Sequence, residues 1–306
     1  MAVIVDVSQV LISGASIAYN THKENLTEDM IKNMFLNSIK SFRHKFINKF
    51  GGPFILAWDG KDYWRKTENH YYKAHRKAGR EKSVMDWDLI FSTMDTIHTE
   101  INEYFPYHSI KVDGAEADDI ISVFADYFSK HELDDSSMFE TEPQKLLIIS
   151  NDTDFLQLQK YKNISQYSQM KRKLIKPKTT ADEFLIEKVI RGDAKDGITN
   201  IFSDPDTFMV EGKRQKSCLA PKVEEIKNSW LNNKELPSFL TKEQTDKFHQ
   251  NYKLLCLSEL QLPSDIKDKI IYQYVNDDLS NRGKGTIHTY LVKNGMKNFL
   301  REINKF

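Results

Sequence analysis

Cysteine is scarce in this 306-residue chain, with Cys218 and Cys256 as the only two. Two thiols cannot build a disulfide framework or a four-cysteine zinc site. No apolar run approaches the ~18 residues a membrane span requires. The opening MAVIVDVSQV has neither a basic n-region nor a cleavage pattern, so no signal peptide is expected. Net charge is also lacking, because 44 Lys+Arg balance 44 Asp+Glu. Bulk disorder is excluded by what is present: 40% hydrophobic and 11% aromatic residues, in a length suited to one large domain or two. The expectation is a soluble, cytoplasmic globular protein with no membrane partner.

The zero net charge hides segregation. Between Lys61 and Lys82 stand Lys61, Arg65, Lys66, Lys73, Arg76, Lys77, Arg80 and Lys82, opposed by only Asp62, Glu68 and Glu81. Met170–Lys178 contains no acid, and the tail from Arg282 has Glu302 alone against its cations. Separate basic and acidic territories each need a reason.

Hydrophobic periodicity suggests the elements. Ala2–Val5, Phe54–Trp58 and Lys145–Ile149 are short apolar runs of the kind buried in a parallel sheet; His108–Val112 and Asn163–Ser168 read as further strands. Thr27–Phe50, Trp87–Phe105 and Ala115–His131 carry helical spacing, and a helix starts over Asp154–Leu158. Glu132–Glu142 reads as a mobile acidic loop. Strands alternating with helices predict an α/β fold around a mainly parallel sheet. Beyond Lys178 only helices are expected: Ala181–Arg191, Pro221–Leu231, Lys242–Leu257, Pro263–Val275 and Thr286–Phe299. We therefore expect an α/β domain over 1–178 and a helical domain over 179–306.

Three apolar strands end in aspartate, at Asp6, Asp59 and, after Ser150-Asn151, Asp152. Parallel strands bring their carboxyl ends to one edge, where ligands of open α/β sheets bind. Asp154 follows two residues later. Glu116, Asp118 and Asp119 open a helix, and Asp193 and Asp196 close another. One such acid is ordinarily a turn or helix-cap residue. Acids from so many segments would repel one another unless cations neutralised them. Oxygen ligands without Cys or His suit Mg²⁺ or Mn²⁺ rather than zinc, and a pair of such ions is the clamp used for phosphodiester hydrolysis. The Lys61–Lys82 segment leaves the strand end at Asp59 and interleaves Tyr63, Trp64, Tyr71 and Tyr72 with its cations, a mixture suited to phosphates and bases. Lys61, Lys77 and Lys82 read as merely solvated charges.

These motifs, in this order, resemble the flap endonuclease/5′-nuclease family, in particular its T-even bacteriophage ribonuclease H branch. They are Asp6; Trp58-Asp59; Tyr63-Trp64-Arg65; Tyr71-Tyr72-Lys73-Ala74-His75-Arg76; Glu116-Ala117-Asp118-Asp119; Ser150-Asn151-Asp152-Thr153-Asp154-Phe155; Gly192-Asp193-Ala194-Lys195-Asp196; and Arg282-Gly283-Lys284. The resemblance implies a PIN-like nuclease domain and Mg²⁺-dependent 5′→3′ exonuclease and flap activity on RNA–DNA hybrids and duplex DNA, used to remove RNA primers. It implies a first ion held by Asp6, Asp59 and Asp118 with Glu116 in support and Asp119 nearby. A second would be held or framed by Asp152, Asp154, Asp193 and Asp196. Lys73 and Arg65, with Arg76, would face the scissile phosphate, and Tyr72 would stack on the terminal nucleotide. Lys171, Arg172 and Lys173 would grip duplex phosphates. The implied partners are duplex, nicked or flapped DNA, RNA–DNA hybrid, and single-strand DNA-binding and other replication proteins, met by a monomer in an infected bacterial cell.

Two departures accompany the resemblance. Gly197–Phe202 lacks the glycine pattern of the helix–turn–helix-like element that follows in most relatives, so a potassium-assisted duplex clamp is not expected. The chain starts almost at its first strand, so sliding-clamp contact through an N-terminal extension is not expected either. Two other readings compete. A haloacid-dehalogenase-type phosphatase needs a second Asp two residues after the first, where Ser8 stands. An accessory protein that only binds branched DNA explains the cations and leaves the acids without a role.

Overall fold

The computed structural model describes residues 1–22, 26–47, 51–130 and 143–306. The expected loop Glu132–Glu142, and the helix ends expected at Phe50 and His131, lie outside those residues. Six strands form one sheet: β1 (Ala2–Asp6), β2 (Phe54–Trp58), β3 (His108–Lys111), β4 (Leu146–Ile149), β5 (Ile164–Ser168) and β6 (Lys173–Ile175), in the spatial order β3-β2-β1-β4-β5-β6. The first five run parallel and β6 returns antiparallel beside β5. β1 is central, with Val5 registered against Leu56 on one side and Ile149 on the other. The strand order reverses at β1, which opens a crevice beyond the strands' carboxyl ends.

Alternate residues of a strand face opposite ways, so β1 feeds two cores. Val3 and Val5 join Leu56, Trp58, Leu147 and Ile149 under helices α1 (Val7–His22), α2 (Glu28–Phe42) and α5 (Trp87–Tyr104). Ala2 and Ile4 join Ile55, Ala57, Leu146 and Ile148 under α6 (Ala117–Lys130). Two short helices, α3 (Trp64–Glu68) and α4 (His75–Glu81), interrupt the basic segment between β2 and α5.

Beyond β6 come α7 (Ala181–Arg191), α8 (Ala220–Asn233), α9 (Lys242–Leu255), α10 (Ser264–Val275), α11 (Lys284–Lys293) and α12 (Lys297–Leu300), with no strand among the described residues of this part. A capping box between Thr180 and Glu183 starts α7 where the pattern predicts it. α7, α8 and α9 enclose a third core that also takes in Tyr72. α10 packs Ile266 and Ile270 onto one face of the sheet, while Ile287, Tyr290 and Phe299 of α11 and α12 pack onto the other. α10 also covers the β3 edge: the Gln273 amide donates to the Lys111 carbonyl at 2.9 Å and accepts from the Lys111 N–H at 3.2 Å. No described helix is long and apolar enough to cross a membrane.

Several local features differ from the sequence reading. α1 was not anticipated, because its buried face rests partly on small residues, Ala15 and Ala18, with Gly14 packed close to Met34. The helix expected to run from Thr27 stops at Phe42 and passes into a π-helical turn, Arg43–Ile47. The last expected helix divides at Asn294-Gly295, where Gly295 takes φ +66°.

Candidate active site

Asp6, Asp59 and Asp152 converge in one cavity of about 260 Å³ at the carboxyl edge, and Asp118, Asp196, Lys73 and Arg76 line it with them. The loops that deliver these groups are tightly braced. Ser150 Oγ donates to Asp6 Oδ2 at 3.0 Å and accepts from the Asp152 N–H at 3.0 Å, so one hydroxyl spaces two carboxylates. Gln166 Nε2 holds the same loop through the Ser150 and Asp152 carbonyls. Asp59 Oδ1 accepts from the Ala117 N–H at 2.9 Å, tying the β2 end to the start of α6. That approach depends on Gly60, since a Cβ there would lie 2.0 Å from the Val112 carbonyl oxygen.

Burial and the neighbouring Asp59 push Asp6 up to about 7, against hydrogen bonds from Gln9 and Ser150 that lower it. Burial drives Asp118 well above the carboxylate range, with Lys73 opposing and Asp6 and Asp152 adding. Carboxylates that burial and mutual repulsion keep from ionising gain most from a divalent cation. Among the described residues no Cys or His lines the cavity, so the donors are those of a hard ion.

A second group lies beside it. Asp154, Asp193 and Asp196 each offer an oxygen within 4.8 Å of the others. Gly192 at φ +73° makes this corner possible, because a Cβ would collide with the Ile198 carbonyl. Lys188 of α7 reaches into it and pairs with Asp154 and, at 2.7 Å, with Asp193. Burial lifts Asp154 to about 6 although Lys188 opposes it. At Asp193 the Lys188 ammonium outweighs burial and the carboxyl is lowered.

Lys73 takes φ +54°, and its N–H donates to the Asp196 carbonyl at 2.8 Å. Its Nζ lies 2.5 Å from Glu116 Oε1 and 3.8 Å from Asp196 Oδ1. Arg76, 41% exposed at the rim, pairs with Asp196 Oδ1 at 2.7 Å. Lys171, Arg172 and Lys173 are exposed at the turn between β5 and β6, where Arg172 has φ +52°.

Four of the expected site residues lie outside the lining of the carboxylate cavity. Arg65 does not line the cavity: its guanidinium is buried between Glu116 and Asp119, and its Nε donates to the Leu254 carbonyl. Asp119 turns away from the other acids, its oxygens taken by Arg65, the Trp64 indole N–H and the Glu116 N–H. Glu116 likewise accepts from Arg65, Lys73 and, at 2.8 Å, the Tyr72 hydroxyl; the cations outweigh burial and hold it below the usual carboxylate range. Tyr72 is 3% exposed within the third core, so its ring offers no face to a nucleotide. Two residues that sequence reasoning missed are Ser150 and Lys188. Ser150 looks like an ordinary turn residue, and a lysine near the end of a helix ordinarily reads as a dipole partner.

Comparison with known proteins agrees with this geometry. Residues 8–185 match a family profile described as 5′-3′ exonuclease, N-terminal resolvase-like domain, and residues 180–306 match one described as T4 RNase H, C terminal. The chain is 33% identical to ribonuclease H of Enterobacteria phage T4 over 309 residues, covering 99% of this chain and 95% of that one. The fold is shared with phage T5 5′-exonuclease solved with zinc, at TM-score 0.62 and 16% identity over 91% of this chain and 100% of that one. A T5 flap endonuclease pseudo-enzyme–product complex with DNA and metal ions gives 0.60 at 16% identity, over 90% and 98%. With its acids gathered at the carboxyl edge of a parallel sheet, the chain belongs to the 5′-3′ exonuclease family of nucleases, alongside phage T4 ribonuclease H.

Proposed function

We propose that this chain is a Mg²⁺-dependent 5′→3′ exonuclease and flap endonuclease that hydrolyses phosphodiesters in RNA–DNA hybrids and duplex DNA, and that it removes RNA primers in phage-type replication. The observation that carries this reading is the convergence of Asp6, Asp59 and Asp152 from three strands in one cavity rimmed by Lys73 and Arg76. Asp6, Asp59 and Asp118 would hold one ion, and Asp154, Asp193 and Asp196 a second, with Asp152 between them; Mn²⁺ would substitute. Bound there, the ions would activate a water and stabilise charge for in-line displacement.

The remaining work falls to the chain's own groups. Glu116 steers the Lys73 ammonium toward the cavity, where it meets charge developing on the scissile phosphate. Arg76 neutralises a neighbouring phosphate, and Arg65 acts indirectly by locking Glu116. Residues 1–178 form the body of the nuclease unit, completed by Asp193 and Asp196 from the helical part over 179–306, which holds the duplex, in a protein that works as a monomer and meets single-strand DNA-binding protein at the fork. The DNA and metal ions named for the T5 complex support this reading.

The test is digestion of 5′-labelled hybrid, nicked and flapped duplexes with Mg²⁺ or with chelator. Short 5′ products that need the ion are expected. Asp152→Asn should abolish them while duplex binding persists, and wild-type rates in that variant would sink the assignment.

A further inference from the structure

The loop that carries Asp152 is tied by side chains to the basic turn between β5 and β6. Asn151, the residue before Asp152, presents its Oδ1 to two donors, the Ser168 hydroxyl at 2.7 Å and the Met170 N–H at 3.1 Å. The Ser168 oxygen in turn accepts from the Lys171 N–H at 3.0 Å. Two consecutive N–H groups of the turn therefore end on Asn151, one directly and one through a hydroxyl. Arg172 in that turn is left-handed at φ +52°, a conformation a non-glycine residue keeps only where its surroundings fix it. On its other side Asn151 reaches the carboxylates. Its N–H donates to Gln9 Oε1 at 3.1 Å, and the Gln9 N–H donates to Asp6 Oδ1 at 3.1 Å. Gln9 lines the carboxylate cavity together with Asp6 and Asp152. Ser168, in the middle of this strap, is buried, so breaking the strap leaves polar groups unpaired away from water.

We infer that Asn151 is a positioning residue that couples phosphate grip at the Lys171–Lys173 turn to the placement of Asp152. The inference rests on the nuclease reading and deepens it. The peptide joining Asn151 to Asp152 is planar and stiff, so a shift of Asn151 is passed on to its neighbour. A phosphate seated on the turn steadies Met170 and Lys171, and through Ser168 it steadies Asn151. Asp152 then stands where the ions need it. Groups that orient metal ligands from outside the ligand shell change metal affinity or activity by about 10–100-fold when they are removed. A displacement of about 1 Å is enough for a loss of that size. The cations of the turn therefore act on turnover as well as on affinity. A phosphate contact that served binding alone would leave turnover unchanged.

The experiment is a double-mutant cycle read at saturating 5′-labelled duplex with Mg²⁺. One arm is Asn151→Leu, which removes the acceptor at similar volume. The other replaces Lys171, Arg172 and Lys173 together with glutamine. Asn151→Leu should lower kcat by about 10–100-fold, while its duplex Kd in Ca²⁺ changes less than about twofold. In the wild-type background the triple replacement should lower kcat as well as affinity. In the Asn151→Leu background it should lower affinity alone. Ser168→Ala cuts the strap in its middle and leaves the Met170 bond, so it should show a smaller loss of the same kind, and it carries the test if Asn151→Leu does not fold. Wild-type kcat in both variants would overturn the positioning role, and additive losses of kcat in the cycle would overturn the coupling. Mn²⁺ binding followed by electron paramagnetic resonance gives a reading that needs no cleavage. Asn151→Leu should hold the ion on the order of tenfold more weakly than wild type, and equal affinity would overturn the positioning role. Absence of cleavage of every substrate by wild type would instead overturn the nuclease reading, with the Mn²⁺ comparison still deciding the role of Asn151.

Discussion

Arg65 and Asp119 face each other as fork and carboxylate, with Nη2 2.7 Å from Oδ1 and Nη1 2.9 Å from Oδ2, both side chains almost wholly out of water. Breaking such a pair leaves a buried charge uncompensated. Arg65→Met should therefore cost about 3–5 kcal/mol in denaturant unfolding. Arg65→Met combined with Asp119→Leu should recover part of that loss. Equal stability of the single variant and wild type would mean that the pair is open to solvent.

The stability of the metal-free protein should depend on pH through Asp6. Its folded-state value of about 7 exceeds the ordinary 3.8, so the native state keeps a proton that the unfolded chain releases between those values. Stabilisation from this group is present below the lower value and lost as pH rises through the higher one. Relative to Asp6→Asn, wild type in chelator should lose up to about 1.4 kcal/mol per pH unit across that window. Parallel unfolding curves for the two proteins at every pH would show that Asp6 is not held protonated.

Lys188 is the only cation paired with both Asp154 and Asp193 among the described residues. In chelator, Lys188→Met should lower stability by about 3–5 kcal/mol, because two partly buried carboxylates then repel each other unpaired. Mn²⁺ should restore most of the loss by taking the ammonium's place. Thermal melts with and without the ion check this, and a variant indifferent to Mn²⁺ would argue against an ion at this corner.

Lys73→Ala should reduce turnover by on the order of 10²–10³ while binding changes little, since the charge it meets develops in the transition state. Glu116 keeps Arg65 and Tyr72 as partners, so the fold should survive. Single-turnover rates beside filter binding make the comparison, and proportional losses in both would reduce Lys73 to an ordinary phosphate contact.

Duplex affinity should fall with salt at roughly −0.9 per phosphate neutralised on logarithmic axes. Replacing Lys171, Arg172 and Lys173 together with glutamine should flatten that slope and weaken all duplex sequences alike. An unchanged slope would remove the β5–β6 turn from the interface.

The sheet was legible because its central strands are continuous apolar runs ending in Asp6, Asp59 and, three residues on, Asp152, a pattern set by burial on both faces. α1 was not, since Ala15, Ala18 and Gly14 bury a face without a strong hydrophobic signal. β6 was hidden in a run of cations, because three residues beside an edge carry no periodicity. Within the site, residue types were readable and directions were not. Glu116, Asp118 and Asp119 are consecutive or nearly so, yet Asp118 lines the carboxylate cavity while Glu116 and Asp119 turn to Arg65. Half a helical turn separates those fates, and one-dimensional spacing does not resolve the start of a helix that finely. Tyr72 and Arg65 show the same limit: their motif marked the neighbourhood, and the side chains turned inward to brace it.

The Gln273 amide does at β3 what a further strand would do, donating to one backbone carbonyl and accepting from one backbone N–H of Lys111. A bare sheet edge is a template on which a second chain can assemble. One side chain from α10 thus acts as a stopper, and the opposite edge, β6, begins with an exposed Lys173 after Lys171 and Arg172. Neither end of the sheet is thus a bare template for a second copy of the chain, and like charges on two copies of the β6 edge would repel one another before their backbones could pair.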